Sequence, residues 1–188
     1  FRLKVTGVVK SVVTYGYDKM FRLTTVTENG DTTTYTYDAN GNRATMDMSG
    51  CDSLTEYGYN DDNLVTSMTN YADSVKVSEF TYSYYTDGNQ RVKTDTVNGT
   101  STTYVYDGAG RLMSETEIDT TLLTIIHKYQ YLYKSTNNRW FMSVDGSEDY
   151  SVVYTYDKNN RLLTETKIEN GVNVTTTYTY DANSNTLT

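Results

Sequence analysis

The pair Tyr-x-Tyr followed by Asp returns along this chain at nearly even intervals, and few folds accept such a pattern. Complete copies are Tyr15-Gly-Tyr17-Asp18, Tyr35-Thr-Tyr37-Asp38, Tyr104-Val-Tyr106-Asp107, Tyr154-Thr-Tyr156-Asp157 and Tyr178-Thr-Tyr180-Asp181. Degenerate copies stand at Tyr57-Gly-Tyr59-Asn60, Tyr82-Ser-Tyr84 and Tyr129-Gln-Tyr131. The second tyrosines, at 17, 37, 59, 84, 106, 131, 156 and 180, are 20 to 25 residues apart. A period in that range marks one supersecondary unit stacked on copies of itself.

Each unit reads as a hairpin. Tyrosines two apart share one face of a strand. An Asp-led turn follows, as in Asp38-Ala-Asn40-Gly41 and Asp107-Gly-Ala-Gly110, or Asp157-Lys-Asn-Asn160 with Asn for Gly. Asp opens such a turn by accepting backbone N–H bonds, and Gly or Asn tolerates the positive φ that closes it. Arg22-Leu23, Arg111-Leu112 and Arg161-Leu162 then open a second strand, such as 112–118. Asn-Gly turns at Glu28-Asn29-Gly30-Asp31 and Glu169-Asn170-Gly171 return the chain. The apolar run from Thr121 to Tyr133 is β-branched and ends in alternating tyrosines, so it too reads as strand.

Eight units predict an all-β chain of about sixteen antiparallel strands: tandem hairpin repeats in one array over residues 1–188. At ~4.8 Å per strand the sheet would be about 77 Å wide. Short strands with both faces wet do not stay flat, so we expect a curled or rolled open sheet, a barrel-like wall. The chain starts at Phe1 without Met and its last repeat breaks off at Thr188, so we expect a piece of a longer array.

Composition narrows the function. Twenty Tyr and no Pro, with abundant Thr, suit half-buried pleated surface. The net charge is −8 and the 16 basic residues are scattered, which argues against a nucleic-acid partner. No apolar run approaches the ~20 residues of a helical membrane span. Cys51 has no second cysteine to pair with, and its Thr-rich context predicts a half-buried small side chain on a strand.

These residues resemble the Rhs/YD-repeat family, whose motif runs Tyr-Asp-x-x-Gly-Arg-Leu with a further Tyr two positions earlier. Tyr106-Asp107-Gly-Ala-Gly110-Arg111-Leu112 matches in full, and Tyr156-Asp157-Lys-Asn-Asn160-Arg161-Leu162 matches with Asn for Gly. Tyr37-Asp38-Ala-Asn-Gly41-Asn42-Arg43 is a variant. The resemblance implies a spiralling β-sheet wall, a cocoon around a toxin in bacterial members and an adhesive barrel in teneurin-like ones. The family's Pro-containing core motif is missing, because the chain has no Pro. The implied repeat anchors are Tyr17, Asp18, Tyr37, Asp38, Tyr59, Tyr84, Tyr106, Asp107, Gly110, Tyr131, Tyr156, Asp157, Tyr180 and Asp181.

Chemistry-bearing alternatives are weaker. His127 is the one histidine, and any Ser-His-Asp or Cys-His site would depend on it. Asp38-x-Asn40-x-Asn42 and Asp181-x-Asn183-x-Asn185 match three ligand positions of a calcium loop. Position six of the first is Arg43 and position twelve is Ser49, so both read as turns. Asp145-Gly-Ser-Glu148-Asp149 is a looser acidic cluster, and Glu115 with Glu117 reads as a solvated strand face. No metal, cofactor or catalytic site is expected. Trp140, with Phe141, sits in a connection that reads as lying outside the repeat, and these two are the candidate binding residues.

The expected function is a non-enzymatic structural scaffold, a segment of an Rhs/YD-repeat shell on a secreted or cell-surface bacterial protein. Its partners would be the rest of the shell or an enclosed cargo. The alternative is a stand-alone extracellular module that binds carbohydrate or a partner protein through its aromatic surface.

Overall fold

The computed structural model describes residues 2–5, 8–146 and 149–187; Glu148 of the acidic cluster lies outside them. The chain forms two compact units, residues 1–88 with 93–98 and residues 89–92 with 99–188. The first holds β1 (Arg2–Val5), β2 (Val8–Tyr17), β3 (Leu23–Glu28), β4 (Asp31–Tyr37), β5 (Arg43–Met48), β6 (Ser53–Tyr59), β7 (Val65–Ala72) and β8 (Val75–Tyr84). Strand β9 (Gln90–Asp95) is divided between the units. The second holds β10 (Thr100–Tyr106), β11 (Leu112–Asp119), β12 (Ile125–Tyr133), β13 (Arg139–Gly146), β14 (Tyr150–Tyr156), β15 (Leu162–Glu169) and β16 (Val172–Thr177). Within each unit every strand pairs antiparallel with its sequence neighbour, and the order runs open from first to last without closing. The all-β hairpin array read from the sequence is the observed fold.

Turn chemistry sets the return rim. Asn29 and Gly30 have φ of 53° and 99°, and Asn170 and Gly171 have 50° and 77°. Asp73 and Ser74 form a third such turn at 50° and 63°. Two positive-φ residues between antiparallel strands make a type I′ turn, whose twist matches that of the strands it joins.

Two stretches differ from expectation. Strand β12 begins at Ile125, because Thr121 and Leu122 donate their N–H groups to the Asp119 carboxylate, both at 2.8 Å, and end the preceding strand in a turn. Cys51 is exposed, in a 3-10 turn over Ser49–Cys51 that replaces a tight hairpin. Its Thr-rich neighbours point to a strand only after that turn, from Ser53 onward.

The register gives each unit two unlike faces. One carries the tyrosines: Tyr104 stands opposite Glu115, Tyr131 opposite Met142, and Tyr154 opposite Glu165. Glu115 and Glu117 are therefore half-buried on the tyrosine face rather than on a solvated one. The other face is rich in threonine, and facing hydroxyls bond across the strands: Thr36 with Thr45 at 2.7 Å, Thr155 with Thr164 at 2.6 Å. Such cross-strand pairs stabilise a sheet pair by pair.

Burial is shallow. The buried apolar core consists of Val144, Val152 and Tyr154 among the described residues. The chain exposes 12433 Å², against about 9,100 Å² for a globular monomer of its mass. Stability must therefore come largely from ladders, turns and links between repeats. Gly30→Ala should test the turns: alanine at that left-handed position costs roughly 1–2 kcal/mol. A urea melt should move to a lower midpoint by that amount with an unchanged slope.

Candidate functional site

The site built most completely by this sequence is a chain of linked turns along one rim of each unit. In the turn at residues 107–111 the Asp107 N–H donates to the Arg111 carbonyl and Gly110 N–H to the Asp107 carbonyl, each at 2.9 Å. The Asp107 carboxylate accepts the N–H groups of Ala109 and Arg111 at 2.9 and 3.0 Å. Its second oxygen accepts Arg111 Nε at 2.7 Å. The turns led by Asp18 and Asp157 repeat these bonds, and Asp38 and Asp181 put Asn42 and Asn185 in the arginine's place. The fourth residue is left-handed each time: Phe21, Gly41, Gly110, Asn160 and Ser184.

These bonds govern the carboxylates. Asp18 and Asp157 are held below the usual range chiefly by the backbone N–H of Arg22 and Arg161. For Asp107 and Asp181 the side chains of Arg111 and Asn185 lead. At Asp38 desolvation pushes upward, and bonds from Asn42 outweigh it. The same bonds occupy the oxygens that a calcium reading of Asp38 and Asp181 would need.

Past the turn, six of the second strands carry one extra residue each. Tyr106 pairs with Leu112 and Val105 with Ser114, which leaves Met113 out of register. Thr24, Ala44, Thr66, Trp140 and Leu163 are left out in the same way. This is a β-bulge, which breaks the ladder locally. The second tyrosine of the next repeat reaches the carbonyl just before the bulged residue. Tyr37 Oη donates to Leu23 O at 2.7 Å, Tyr59 to Arg43 O at 2.9 Å, and Tyr84 to Val65 O at 2.6 Å. Tyr133, Tyr156 and Tyr180 do the same to Leu112, Arg139 and Leu162 at 2.9, 2.7 and 2.8 Å.

Arginines complete the link. Arg22 lies 4.4 Å from the Tyr37 ring centroid, Arg111 4.6 Å from Tyr133, and Arg161 4.7 Å from Tyr180. Each pairs with its own aspartate while stacking on the next repeat's tyrosine, a geometry that suits a planar guanidinium. Arg111 Nη1 also donates to Asn137 Oδ1 at 2.8 Å in the next turn, and Asn42 Nδ2 to Asn63 Oδ1 at 2.7 Å.

Two positions change their meaning. The sixth repeat makes its link through Tyr133, two residues after Tyr131, because Lys134 opens that turn where the sequence pattern asks for Asp. The run Tyr129-Gln-Tyr131-Leu-Tyr133 hides which tyrosine leads the turn. Trp140 is the bulged residue of β13 and so belongs to the repeat, not to an irregular connection. It is 36% exposed, and its ring centroid is 5.7 Å from that of Phe141. Tyr17 is exposed, and Tyr106 is half-buried. His127 lies in the β12 ladder opposite Glu117 and Gly146.

Residues 84–121, from the end of β8 through β9, β10 and β11, match the family model of the RHS repeat. Over those residues the chain is similar to an RHS repeat. A comparison with curated proteins gives no match. Among solved structures, a crystal structure of TcdB2-TccC3-Cdc42 superposes with a TM-score of 0.73 at 17% identity, covering 98% of this chain and 11% of that one. A crystal structure of TcdB2-TccC3 gives 0.62 at 15% identity, covering 95% and 12%. The Photorhabdus luminescens Tc holotoxin pore, in a TccC3 mutant form, gives 0.61 at 14%, covering 95% and 11%. At these identities the likeness is one of fold. The chain spans about a ninth of those chains' length.

The Asp-led turn and its link can be tested in two ways. Tyr156→Phe removes one hydroxyl bond to a backbone carbonyl and should destabilise by about 1 kcal/mol in a denaturant melt. The pH profile should show a plateau. The turn aspartates have folded pKa values lowered from 3.8, so their stabilisation is present above pH 4 and lost as pH falls through the folded values. Burial raises Tyr104, Tyr131 and Tyr154 above 10.0, so their contribution is present below pH 10 and lost as pH rises through the folded values. Melting temperature against pH should fall at both ends, and Asp107→Asn should flatten the acid limb.

Proposed function

We propose that the chain is a segment of a larger RHS-repeat wall on a secreted or cell-surface bacterial protein, and that it acts as a scaffold rather than an enzyme. The observation that carries this reading is the link itself. Within each unit the tyrosine hydroxyl binds one repeat to the next at the same backbone carbonyl, and arginine or asparagine contacts are added at most of these links, so the sequence's most repeated residues serve to join repeats. The shallow burial points the same way, since a one-layer sheet gains support from more sheet on either side. The long chains that share the fold also support it: they are about nine times the length of this segment. The wall's partners would be neighbouring repeats or an enclosed cargo.

A second reading has one observation in its favour. Trp140, Met113, Leu132 and Leu163 are large apolar side chains exposed near the turn rim of the second unit. Such a surface suits a module that binds carbohydrate or a partner protein. Immunoblotting the native producer, in cell-associated and secreted fractions, separates the two. A band far above 21.4 kDa is expected for a wall segment. A band at that mass would overturn the wall, and glycan binding lost in Trp140→Ala would then establish the module.

A further inference from the structure

The two units place different side chains at the same positions of the repeat. The residue before each link tyrosine lies on the face opposite the tyrosines, and the bulged residue of the following strand stands beside it. Across β2 to β7 these positions hold Gly16, Thr24, Thr36, Ala44, Gly58 and Thr66. Across β10 to β15 they hold Val105, Met113, Leu132, Trp140, Thr155 and Leu163. Five of those six are large and apolar, and each is between 36% and 42% exposed. Trp140 fits this placement, with its ring 5.7 Å from that of Phe141, the partner of Leu132. The first unit folds the same hairpins without such side chains, so the fold does not require them.

The turn rim beside this stripe differs in charge as well. The turns at 18–22, 38–42 and 60–64 hold two basic residues, Lys19 and Arg22, against the four acids Asp18, Asp38, Asp61 and Asp62. The turns at 107–111, 134–138 and 157–161 hold four basic residues, Arg111, Lys134, Lys158 and Arg161, against the two acids Asp107 and Asp157. Those acids are closed onto Arg111 and Arg161, which leaves the exposed Lys134 and Lys158 as the surplus. In a chain of net charge −8, the second unit borders its apolar stripe with a local excess of positive charge.

We propose that this face of the second unit docks an acidic amphipathic helix of a partner protein. Met113, Trp140 and Leu163 stand on alternate strands, about 9.6 Å apart. Seven residues of helix rise about 10.5 Å, so apolar residues at heptad spacing meet the three in turn. Acids on one flank of that helix meet Lys134 and Lys158. Other visitors fit less well. Six strands span about 24 Å, and a strip of that length and one helix wide covers about 240 Å². Two copies of the chain joined stripe to stripe would fall well under the ~800 Å² per partner of a stable complex. A sugar would find aliphatic side chains and two rings tilted by 44°, with no common plane to stack on. The inference deepens the second reading above and rests on its apolar surface, but it needs no free-standing module.

The test uses the 188-residue chain, whose one tryptophan, Trp140, reports on the stripe. The probe is a helical peptide of about 16 residues, free of aromatics, with leucine at heptad spacing and glutamate on its flanks. A saturable blue shift of Trp140 emission is expected. A scrambled peptide of the same composition, or one with lysine for glutamate, should bind about tenfold more weakly or worse. Met113→Thr with Leu163→Thr brings in the residue type of the first unit and should weaken binding about tenfold or more at an unchanged melting temperature. Lys134→Glu with Lys158→Glu should weaken the glutamate peptide and strengthen its lysine counterpart. No saturable shift, equal binding of the scrambled peptide, or undiminished binding in the double threonine variant would overturn the proposal. So would a fall in that variant's melting temperature, which would give the stripe to the fold. A shift produced only by a neutral oligosaccharide, or by protein concentration alone, would replace the helix with a sugar or a second copy. The mass of the native band bears on the wall and not on this titration, so either reading can fail alone.

Discussion

The bond from a link tyrosine's hydroxyl to a carbonyl of the preceding repeat spans 14 to 21 residues of sequence, and each unit is arranged around delivering it. The carbonyl it finds is always the one before the bulged residue. A bulge removes backbone groups from the ladder, and a group so removed must find another partner. The bulge and the tyrosine are thus two halves of one device: the strand opens where the next repeat closes on it. The Asp-led turn holds the tyrosine at the strand's end and the arginine over the next ring. Loss of the hydroxyl would leave a carbonyl without its partner as well as a ring without an anchor, and this asymmetry makes the position costly to change.

Such links matter because little else holds the repeats. The tyrosine face buries a small core around Val144, Val152 and Tyr154, and the threonine face stays wet. Ion pairs between surface groups are ordinarily weak. Here Asp107 and Arg111 also serve a turn, a ring and a neighbouring turn, so the pair is kept in place by bonds on all sides. On the first unit's tyrosine face a polar relay plays a comparable part, with Thr55 donating to Asn70 Oδ1 at 2.8 Å and Asn70 to Ser78 Oγ at 2.7 Å.

The strands, their order and both kinds of turn were legible in the sequence because each is written locally. Tyr-x-Tyr states a face, Asp-x-x-Gly a turn and Asn-Gly a hairpin. The bulge was not legible, since the extra residue is Thr24, Ala44, Thr66, Met113, Trp140 or Leu163, and no side-chain type marks it. Trp140 therefore read as an outsider when it is the bulge of its own repeat. Tyr133 was hidden by Lys134, which makes the turn's backbone bonds without the aspartate that announces them. The arginine stack on the following ring was also out of reach, because the distances in sequence from Arg22 to Tyr37 and from Arg111 to Tyr133 differ and share no fixed spacing.

Each hydroxyl link described within a unit joins the same tyrosine oxygen of one repeat to the same carbonyl of its neighbour. Excising a whole repeat leaves two cut surfaces that already match, and inserting one creates two further joints of the kind already present. A gene coding for such a protein can therefore gain or lose length by recombination between its own copies, in steps of one hairpin, without inventing a new contact. The inheritance of this architecture is modular in the way a zip fastener is: its teeth are interchangeable, and only their number is specific.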